Sequence, residues 1–426
     1  MKVLTDQVTP GAPVKVRVLN VTRGEIERDD AKALDFDQSE LFKKVYSQEF
    51  DMPGGEPFGL LVGDYELHIG ANDLEHSNDI SVLRAIAKVA AAAFAPFVAS
   101  VGASSFGLDD YADLTRPIDL HNLLRRDEYR EWQSFRRSPE AKFVGLVLPH
   151  VLMRLPYRDD GARRDGFAYD EESGFAGAKD YLWGNAAYGF AAVVLRAFES
   201  GGWLAEIRGA QQDEKGLPLA SGGVVEGLPI ERWDRDRAGS MPRIVTEVLI
   251  TARREKEFAE QGFISLCHAR PTPWAVFYNT PSVHEPERYE SELANANAHF
   301  GTQLQYTLCV SRFAHYVKVI AREKIGLFTS ATDLEQYLRE WLREYTTANV
   351  NLSQEDKARM PLRAAKVKVT GDAAKPGSLI CTLLLVPHYQ LEQIVGMLSL
   401  DISNIDQMSA LRIEVFRPEG GPGGRL

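Results

Sequence analysis

Residues 365–386 read AKVKVTGDAAKPGSLICTLLLV and contain two patterns that are typical of β-strands. In the first, three apolar residues alternate with two lysines, which predicts a strand with one buried face. The second covers residues 379–386 and is mostly apolar. A further extended segment, 393–402, follows after Pro387-His388-Tyr389, so the chain is predicted to form a β-hairpin near its end.

Amphipathic helices are predicted upstream of these strands. Residues 304–325 carry apolar side chains on one helical stripe. Thr332 is followed three residues later by Glu335, the spacing of a capping box that would start the next helix. A short helix capped by Ser353 is predicted to end at Pro361.

The middle of the chain mixes strand and helix patterns. The continuous apolar run 143–148 predicts a fully buried strand, and 58–62 predicts another. Asp79 is placed to cap a helix, and residues 181–203 form an alanine-rich and aromatic-rich helical pattern. Residues 89–108 carry no charge, but their small side chains favour a buried helix that continues into a loop over a membrane span.

The N-terminal region, residues 1–50, is predicted to be an arm. Val14, Val16 and Val18 alternate with basic residues, which predicts a short strand with one apolar face. The acidic stretch 25–40 shows no periodic pattern and is expected to lack regular structure. The arm therefore offers a strand at some distance from the rest of the fold.

Together these patterns predict a mixed α+β fold. The larger middle region, 51–300, carries two polar surface loops at 158–180 and 210–240. Residues 301–402 form a C-terminal unit of helices and a β-hairpin. The extension 403–426 ends in a proline- and glycine-rich tail, 417–426, that is expected to be mobile, and Leu411, Ile413 and Val415 predict one more short strand.

Composition limits the classes of function. The chain has 426 residues, with 49 Lys and Arg against 60 Asp and Glu, a formal net charge of −11. This balance argues against a nucleic-acid binder or a polybasic membrane anchor. Its 3 cysteines form no C-x-x-C pair, and the N-terminus lacks a secretory signal pattern, so a reducing, cytoplasmic compartment is expected.

Known catalytic patterns are missing from the sequence. His284-Glu285 begins like a zincin helix, but Arg288 stands where the second histidine is required. Cys267 and His268 are adjacent, and adjacent side chains on a strand or helix point in different directions. We therefore predict no catalytic residue, no metal and no cofactor, and a cysteine-dependent hydrolase is kept only as a rival hypothesis.

One charged run has two interpretations. Arg253, Arg254, Glu255, Lys256 and Glu257 fall on a predicted helix, where Arg253 can pair with Glu257 at i, i+4. The run is either an ordinary solvated helix face or a surface that faces a partner.

Longer strings resemble one protein family, the large subunit of the type VI secretion contractile sheath (TssC/VipB family). The strings are collinear from about residue 14 to about residue 402. They include Pro53-Gly54-Gly55-Glu56-Pro57-Phe58-Gly59, Gly63-Asp64-Tyr65, 94–107, Phe135-Arg136-Arg137-Ser138-Pro139-Glu140, Trp183-Gly184-Asn185-Ala186-Ala187-Tyr188, Thr246-Glu247-Val248, Ala294-Asn295-Ala296, Arg312-Phe313-Ala314-His315-Tyr316-Val317-Lys318 and Pro387-His388-Tyr389-Gln390-Leu391-Glu392.

The resemblance implies a contractile-sheath protomer fold whose neighbours share an inter-subunit β-sheet formed by strand exchange. It implies a heterodimer with a small sheath subunit (TssB/VipA type) and self-assembly into a helical sheath around an inner tube protein (Hcp type), docked on a baseplate. Strand addition to an open sheet edge fits the predicted arm and hairpin. The residues expected to take part are Val14, Val16, Val18, Leu383, Leu385, Ile394, Leu398 and Leu400, and the alternative is that they form an ordinary sheet within one subunit.

Two further expectations follow from the resemblance. Family members begin with an additional segment whose helix is associated with recognition by an AAA+ disassembly ATPase (ClpV type), and this sequence starts downstream of it, which leaves that partnership open. The run 253–257 is a candidate for contact with the tube or a partner. A tail-sheath protein of a phage or tailocin remains the first rival, because such sheaths are built on the same principle.

Overall fold

The structure is a computed structural model, and it describes residues 14–33, 35–52, 54–70, 79–157, 169, 171, 181–210, 219–229, 245–269, 272, 274–324, 330–349, 353–371, 379–388 and 411–412. Within these ranges, helices and strands are mixed along the chain. The predicted α+β class is therefore confirmed.

Six of the described strands form one sheet, in the order β1-β2-β3-β7-β8-β6. The first four of these are parallel to one another, and β8 and β6 continue the sheet antiparallel. A separate two-stranded ribbon pairs β4 with β5. The strands are β1 Leu61–Leu67, β2 Phe97–Val101, β3 Val144–Leu148, β4 Val151–Leu152, β5 Trp183–Gly184, β6 Val224–Val225, β7 Phe263–His268 and β8 Ala275–Phe277.

Both faces of this sheet are covered by helices. In β2 the side chains of Phe97 and Ala99 enter the core on one face, and that of Val98 enters the core on the other. This is why β2 and β3, inside the parallel part of the sheet, are buried at every residue, whereas the edge strand β1 also carries the exposed Asp64 and Glu66. Along the whole chain, the α-helices that the structure describes are α1 Arg23–Lys32, α2 Glu40–Phe42, α3 Asp79–Ala92, α4 Leu120–Leu123, α5 Arg130–Arg136, α6 Ala187–Gly201, α7 Ala252–Glu260, α8 Glu292–Phe300, α9 Leu304–Lys324, α10 Ala331–Glu344 and α11 Gln354–Arg359.

A second sheet lies near the C-terminus, in the order β11-β10-β9. Its strands are β9 Leu362–Gly371, β10 Leu379–Pro387 and β11 Leu411–Arg412, all antiparallel to their neighbours. It shares a core with α10 and with most of α9. The first turns of α9 belong instead to a core of the larger sheet, because Leu304 and Leu308 pack there. Helix α9 thus joins the two sheets, while the predicted boundary between residues 300 and 301 stays a prediction.

The sequence-based prediction for residues 89–108 was wrong in one respect. Helix α3 ends at Ala92, and Phe97–Val101 is a central strand in which every residue is buried. A five-residue run of apolar and small side chains has no periodicity that separates a buried strand from a buried helix. Pro96, directly before the strand, is consistent with the end of the helix.

Two helix starts also differ from the predictions. Helix α1 extends into the stretch 25–40, in which no periodic pattern was found, and it begins with a capping box between Thr22 and Glu25. Only one residue of α1, Ile26, is buried, so the helix has no apolar periodicity to reveal it. Helix α10 begins with a capping box of Ser330 and Asp333, not at Thr332.

Other element bounds shift by a few residues. β1 begins at Leu61, whereas residues 58–62 were predicted. The helix predicted over 181–203 begins only at Ala187, because Trp183 and Gly184 pair with β4. The predictions of α3, of α9 and of the Ser353-capped helix α11 are confirmed.

Candidate assembly interface

The extended part of the arm, residues 14–22, exposes its valines. Residues 14–22 have neither helix nor strand assignment. Val14, Val16 and Val18 are 42%, 76% and 91% exposed, although all three are apolar. An apolar row this exposed on an extended segment is typical of a surface that another chain covers. Pairing of these residues as a strand stays a prediction.

The basic residues of the arm hold it against its own subunit. The Lys15 ammonium lies 2.9 Å from the Glu56 carboxylate, and the Arg17 guanidinium pairs with Glu49. Arg17 also lies over the Phe58 ring, 5.7 Å from its centroid. Each surface ion pair contributes at most about 1 kcal/mol, but together the contacts give the arm a preferred position with its valines outward.

In the terminal sheet, β9 and β10 form a long antiparallel pair in which Leu383 lies opposite Val367 and Leu385 opposite Ala365. The side chains of Leu383 and Leu385 are buried in the core shared with α9 and α10. Any part they play between subunits is therefore made through the backbone, since their side chains are used within the subunit. The other predicted hairpin residues, Ile394, Leu398 and Leu400, lie outside the described residues, as does the predicted strand 393–402.

The outer edge of β9 is covered at two points by its own subunit. At its start, the Leu362 N–H donates to the Tyr345 carbonyl at 3.2 Å, and the Leu362 carbonyl accepts from the Thr347 N–H at 2.9 Å. Towards its end, the Val369 N–H donates to a Glu335 carboxylate oxygen at 3.0 Å. Both covering segments belong to α10 or follow it directly.

The predicted partner-facing run lies on α7, and most of it is engaged inside the subunit. Arg254 donates to the backbone carbonyls of Ile118 and Arg116 at 2.9 and 2.7 Å. Glu255 is 6% exposed and accepts a hydrogen bond from Asn279. These contacts hold α7 against the core of the larger sheet. The two side chains are therefore not available to a partner.

The rest of the run faces outward. Arg253 pairs with Glu257 at 2.9 Å, which confirms the predicted i, i+4 contact. Lys256 is exposed. A partner-facing role for the run therefore narrows to Arg253 and Lys256 and stays a prediction.

Cys267 and His268 do not form a nucleophile and base pair. The two residues are neighbours at the end of β7, and the Cys267 sulfur is buried. Burial raises the pKa of its thiol well above the usual range, so it stays protonated and unreactive. The His268 ring instead hydrogen-bonds the Thr272 carbonyl at 2.7 Å.

A partly buried charge cluster follows β3, in which His150 and Glu247 are mostly covered and Glu66 is exposed. The His150 Nδ1 lies 2.8 Å from Glu247 and the Nε2 lies 3.6 Å from Glu66. The Tyr111 ring packs edge-on against the imidazole. Burial by itself lowers the pKa of His150, but the hydrogen bonds and charges of the two carboxylates outweigh it and raise the pKa to about 9. His150 is therefore charged at neutral pH and ties three segments together.

This cluster predicts a pH-dependent stability. The pKa of His150 rises from 6.5 to about 9 on folding, so its contribution is complete below pH 6.5 and is lost as the pH rises through about 9. We expect wild-type protein to lose about 2–3 kcal/mol of unfolding free energy over that range through this group. Urea titrations at several pH values measure it.

The matched variant is His150→Gln, which keeps a hydrogen-bonding side chain but has no proton to lose. It should be less stable at pH 6.5 and show a flatter decline up to pH 9 than the wild type. Equal slopes in the two proteins would contradict the assignment.

Sequence reasoning missed the residues that act across long separations. Glu335 and Val369 are 34 positions apart, and His150 and Glu247 are 97 apart. Nothing in local spacing connects such pairs. Thr246-Glu247-Val248 was noted only as part of the family resemblance, and Glu335 was assigned to a helix cap.

None of the helices in the described ranges combines the length and the apolar character that a bilayer crossing requires. Within the same ranges, no group of three or more His, Cys, Asp or Glu side chains is arranged to hold a metal ion.

Comparison with known proteins gives concordant results. A VipB family model described as the EvpB/VC_A0108 tail sheath N-terminal domain matches residues 1–284. A second, described as the EvpB/VC_A0108 tail sheath gpW/gp25-like domain, matches residues 293–403. The type VI secretion system sheath protein TssC1 of Pseudomonas aeruginosa is 37% identical over 385 residues, which is 89% of this chain and 74% of that protein.

A cryo-EM structure of the anti-feeding prophage helical sheath in its contracted state is also similar, with a TM-score of 0.38 and 11% identity over 75% of this chain and 67% of that one. That likeness is too loose to carry an argument. The two family matches include all strands of the larger sheet and β9 and β10 of the second, and they define a structural sheath protein. The chain belongs to the VipB (EvpB) tail-sheath family of type VI secretion, which confirms the resemblance seen in the sequence.

Proposed function

We propose that this chain is the large subunit of a contractile sheath, which pairs with a small sheath subunit, polymerises around an inner tube and shortens to propel that tube. The observation that carries the proposal is the arm, with its basic side held on its own subunit and three valines turned outward. Donating such a segment to a neighbour's sheet edge would bury apolar surface and satisfy backbone groups together.

The terminal sheet supports the accepting half of the exchange. It is anchored on α9 and α10 through a large core that includes Leu383 and Leu385. A sheet held this firmly offers its edges to another chain without having to rearrange. The proposed strand exchange therefore joins a loosely held donor to a rigid acceptor.

The proposed work is mechanical. Protomers rotate as rigid bodies while donated strands keep neighbours connected, so that an extended sleeve becomes shorter and wider. A gain of about 1 kcal/mol for each changed contact, the size of one hydrogen bond, becomes large when summed along a polymer. The chain needs no catalytic site of its own, in keeping with the buried, protonated Cys267.

Further partners belong to the same proposal. The sheath would assemble in the cytoplasm on a baseplate, contact the tube through exposed charges such as Arg253 and Lys256, and be dismantled by an AAA+ ATPase. Contacts with the tube should be polar and easily broken, because the tube must slide.

The proposal is tested by coexpressing this chain with the product of the neighbouring gene and examining the sample by electron microscopy. We expect hollow, cogwheel-like tubules containing both proteins. Monodisperse particles under polymerising conditions would contradict the proposal, and tubules of this chain alone would favour a phage-type sheath.

An arm variant sharpens the same experiment. Replacing Val14, Val16 and Val18 with Ser removes the apolar row while leaving the two ion pairs of the arm intact, and should prevent tubule formation. The control is Val62→Ser, which removes one valine of 38% exposure from β1. Tubules from the arm variant at wild-type yield would show that the valines are not donated.

A further inference from the structure

The edge of β9 has a regular pattern of outward-facing groups. In an antiparallel pair, alternate residues direct their N–H and C=O groups to the partner strand, and the residues between them direct theirs away. Val369 lies opposite Cys381 of β10, yet its N–H donates to Glu335. Val369 therefore belongs to the outward-facing set, and Ala365 and Val367, in the same alternation, face the same edge.

The covered ends leave a short window on that edge. The segment after α10 hydrogen-bonds the backbone of Leu362, and the Glu335 carboxylate hydrogen-bonds the N–H of Val369. Between them lie the outward groups of Ala365 and Val367. A strand that could bond to these alone would be shorter than the five or six residues of an average strand.

The Glu335 carboxylate takes the place that a neighbouring strand would fill beside Val369. Its carboxylate is an acceptor only, and it accepts from Val369 where the backbone carbonyl of an added strand would accept. Its side chain is 22% exposed, and Arg339, one turn further along α10, pairs with it. A partly exposed side chain in this position is easier to replace than a backbone segment such as 345–347.

We infer that Glu335 is a displaceable cap on the accepting edge of β9. Its carboxylate accepts the Val369 N–H in the unassembled subunit, and a backbone carbonyl of the arm donated by a neighbouring copy of this chain replaces it on assembly. Displacement lengthens the accepting edge from Val367 to Val369 and beyond. The cap also blocks unwanted pairing at this end of an otherwise exposed strand. The inference rests on the proposed strand exchange and adds where the strand docks and what it replaces.

Residue-resolved hydrogen–deuterium exchange tests the inference on the pair with the small subunit, before and after assembly. In unassembled pairs, the Val369 amide should exchange about tenfold faster in Glu335→Ala than in wild type, since it loses its acceptor. The control is Glu340→Ala, the same change at an exposed position of α10, and it should match the wild type. In assembled sheaths, Val369 should be equally protected in all three proteins.

Ala365 and Val367 report on the proposed function separately. Their amides should become protected on assembly in every protein that forms a sheath. If they do so while the Val369 amide still exchanges fast in assembled Glu335→Ala, the docked strand does not reach Val369, and the inference is wrong. It is also wrong if Glu335→Ala leaves Val369 exchange unchanged in unassembled pairs, or if Ala365 and Val367 stay unprotected in a sheath. Failure of the wild type to form any sheath would instead reject the proposed function.

Discussion

Leu385→Pro is expected to abolish tubule formation while the six-stranded sheet stays folded. Leu385 lies in the middle of β10, opposite Ala365, and is 4% exposed. Proline removes the backbone N–H, fixes φ and takes a buried leucine out of the core, a loss of about 3 kcal/mol or more. The terminal sheet should be disrupted, and with it the surface on which strands are exchanged.

Persistence of the larger sheet is part of this prediction. Its cores are formed by other residues, and Trp132, fully buried against Phe263, reports on them. The near-UV circular dichroism of the variant should therefore keep the aromatic signal of the larger sheet's cores and lose that of the terminal core, while electron microscopy shows no tubules.

The control for this variant is Leu385→Ile, which retains the N–H and the side-chain volume and should assemble normally. Normal tubules from Leu385→Pro would show that β10 is not part of the exchanged sheet. Loss of tubules from both variants would attribute the effect to packing and leave the backbone role unsupported.

Local patterns in the sequence predicted elements whose burial is periodic. The alternation in β9 is an example, because one face of that strand lies on a core and the other does not. Patterns failed for β2, where burial is complete, and for α1, where it is nearly absent. β2 is buried on both faces, and α1 buries only Ile26, so neither shows an alternation.

The candidate interface divides in the same way. The valines of the arm were predicted because their alternation with Lys15 and Arg17 is local. The positions of Glu49 and Glu56, and of Glu335 beside Val369, depend on how distant segments pack. Charge patterns likewise identified the run on α7 but could not show that Arg254 and Glu255 face inward. Geometry of this kind comes only from the folded chain.

Phe313→Ala should produce a large loss of stability by opening a cavity in the terminal core. Phe313 is fully buried, and its ring stacks on that of Trp203 with 3.9 Å between the ring centroids. Trp341 and Tyr345 lie edge-on to it. Truncating a phenylalanine in such a cluster leaves a cavity and removes ring contacts, which costs about 3–5 kcal/mol. Urea unfolding of the unassembled pair, followed by tryptophan fluorescence, measures the loss.

The site of this cluster gives the prediction a mechanical consequence. Helix α9 carries Leu304 in a core of the larger sheet and Phe313 in the core of the terminal sheet, and Trp203 follows α6, which covers the larger sheet. The proposed contraction by rigid-body rotation requires that the two sheets turn as one unit, so a cavity at this joint should separate their unfolding transitions. Phe313→Leu, which fills most of the space, should lose less stability and keep one transition. A single transition with wild-type stability in Phe313→Ala would mean that the two sheets are held together elsewhere.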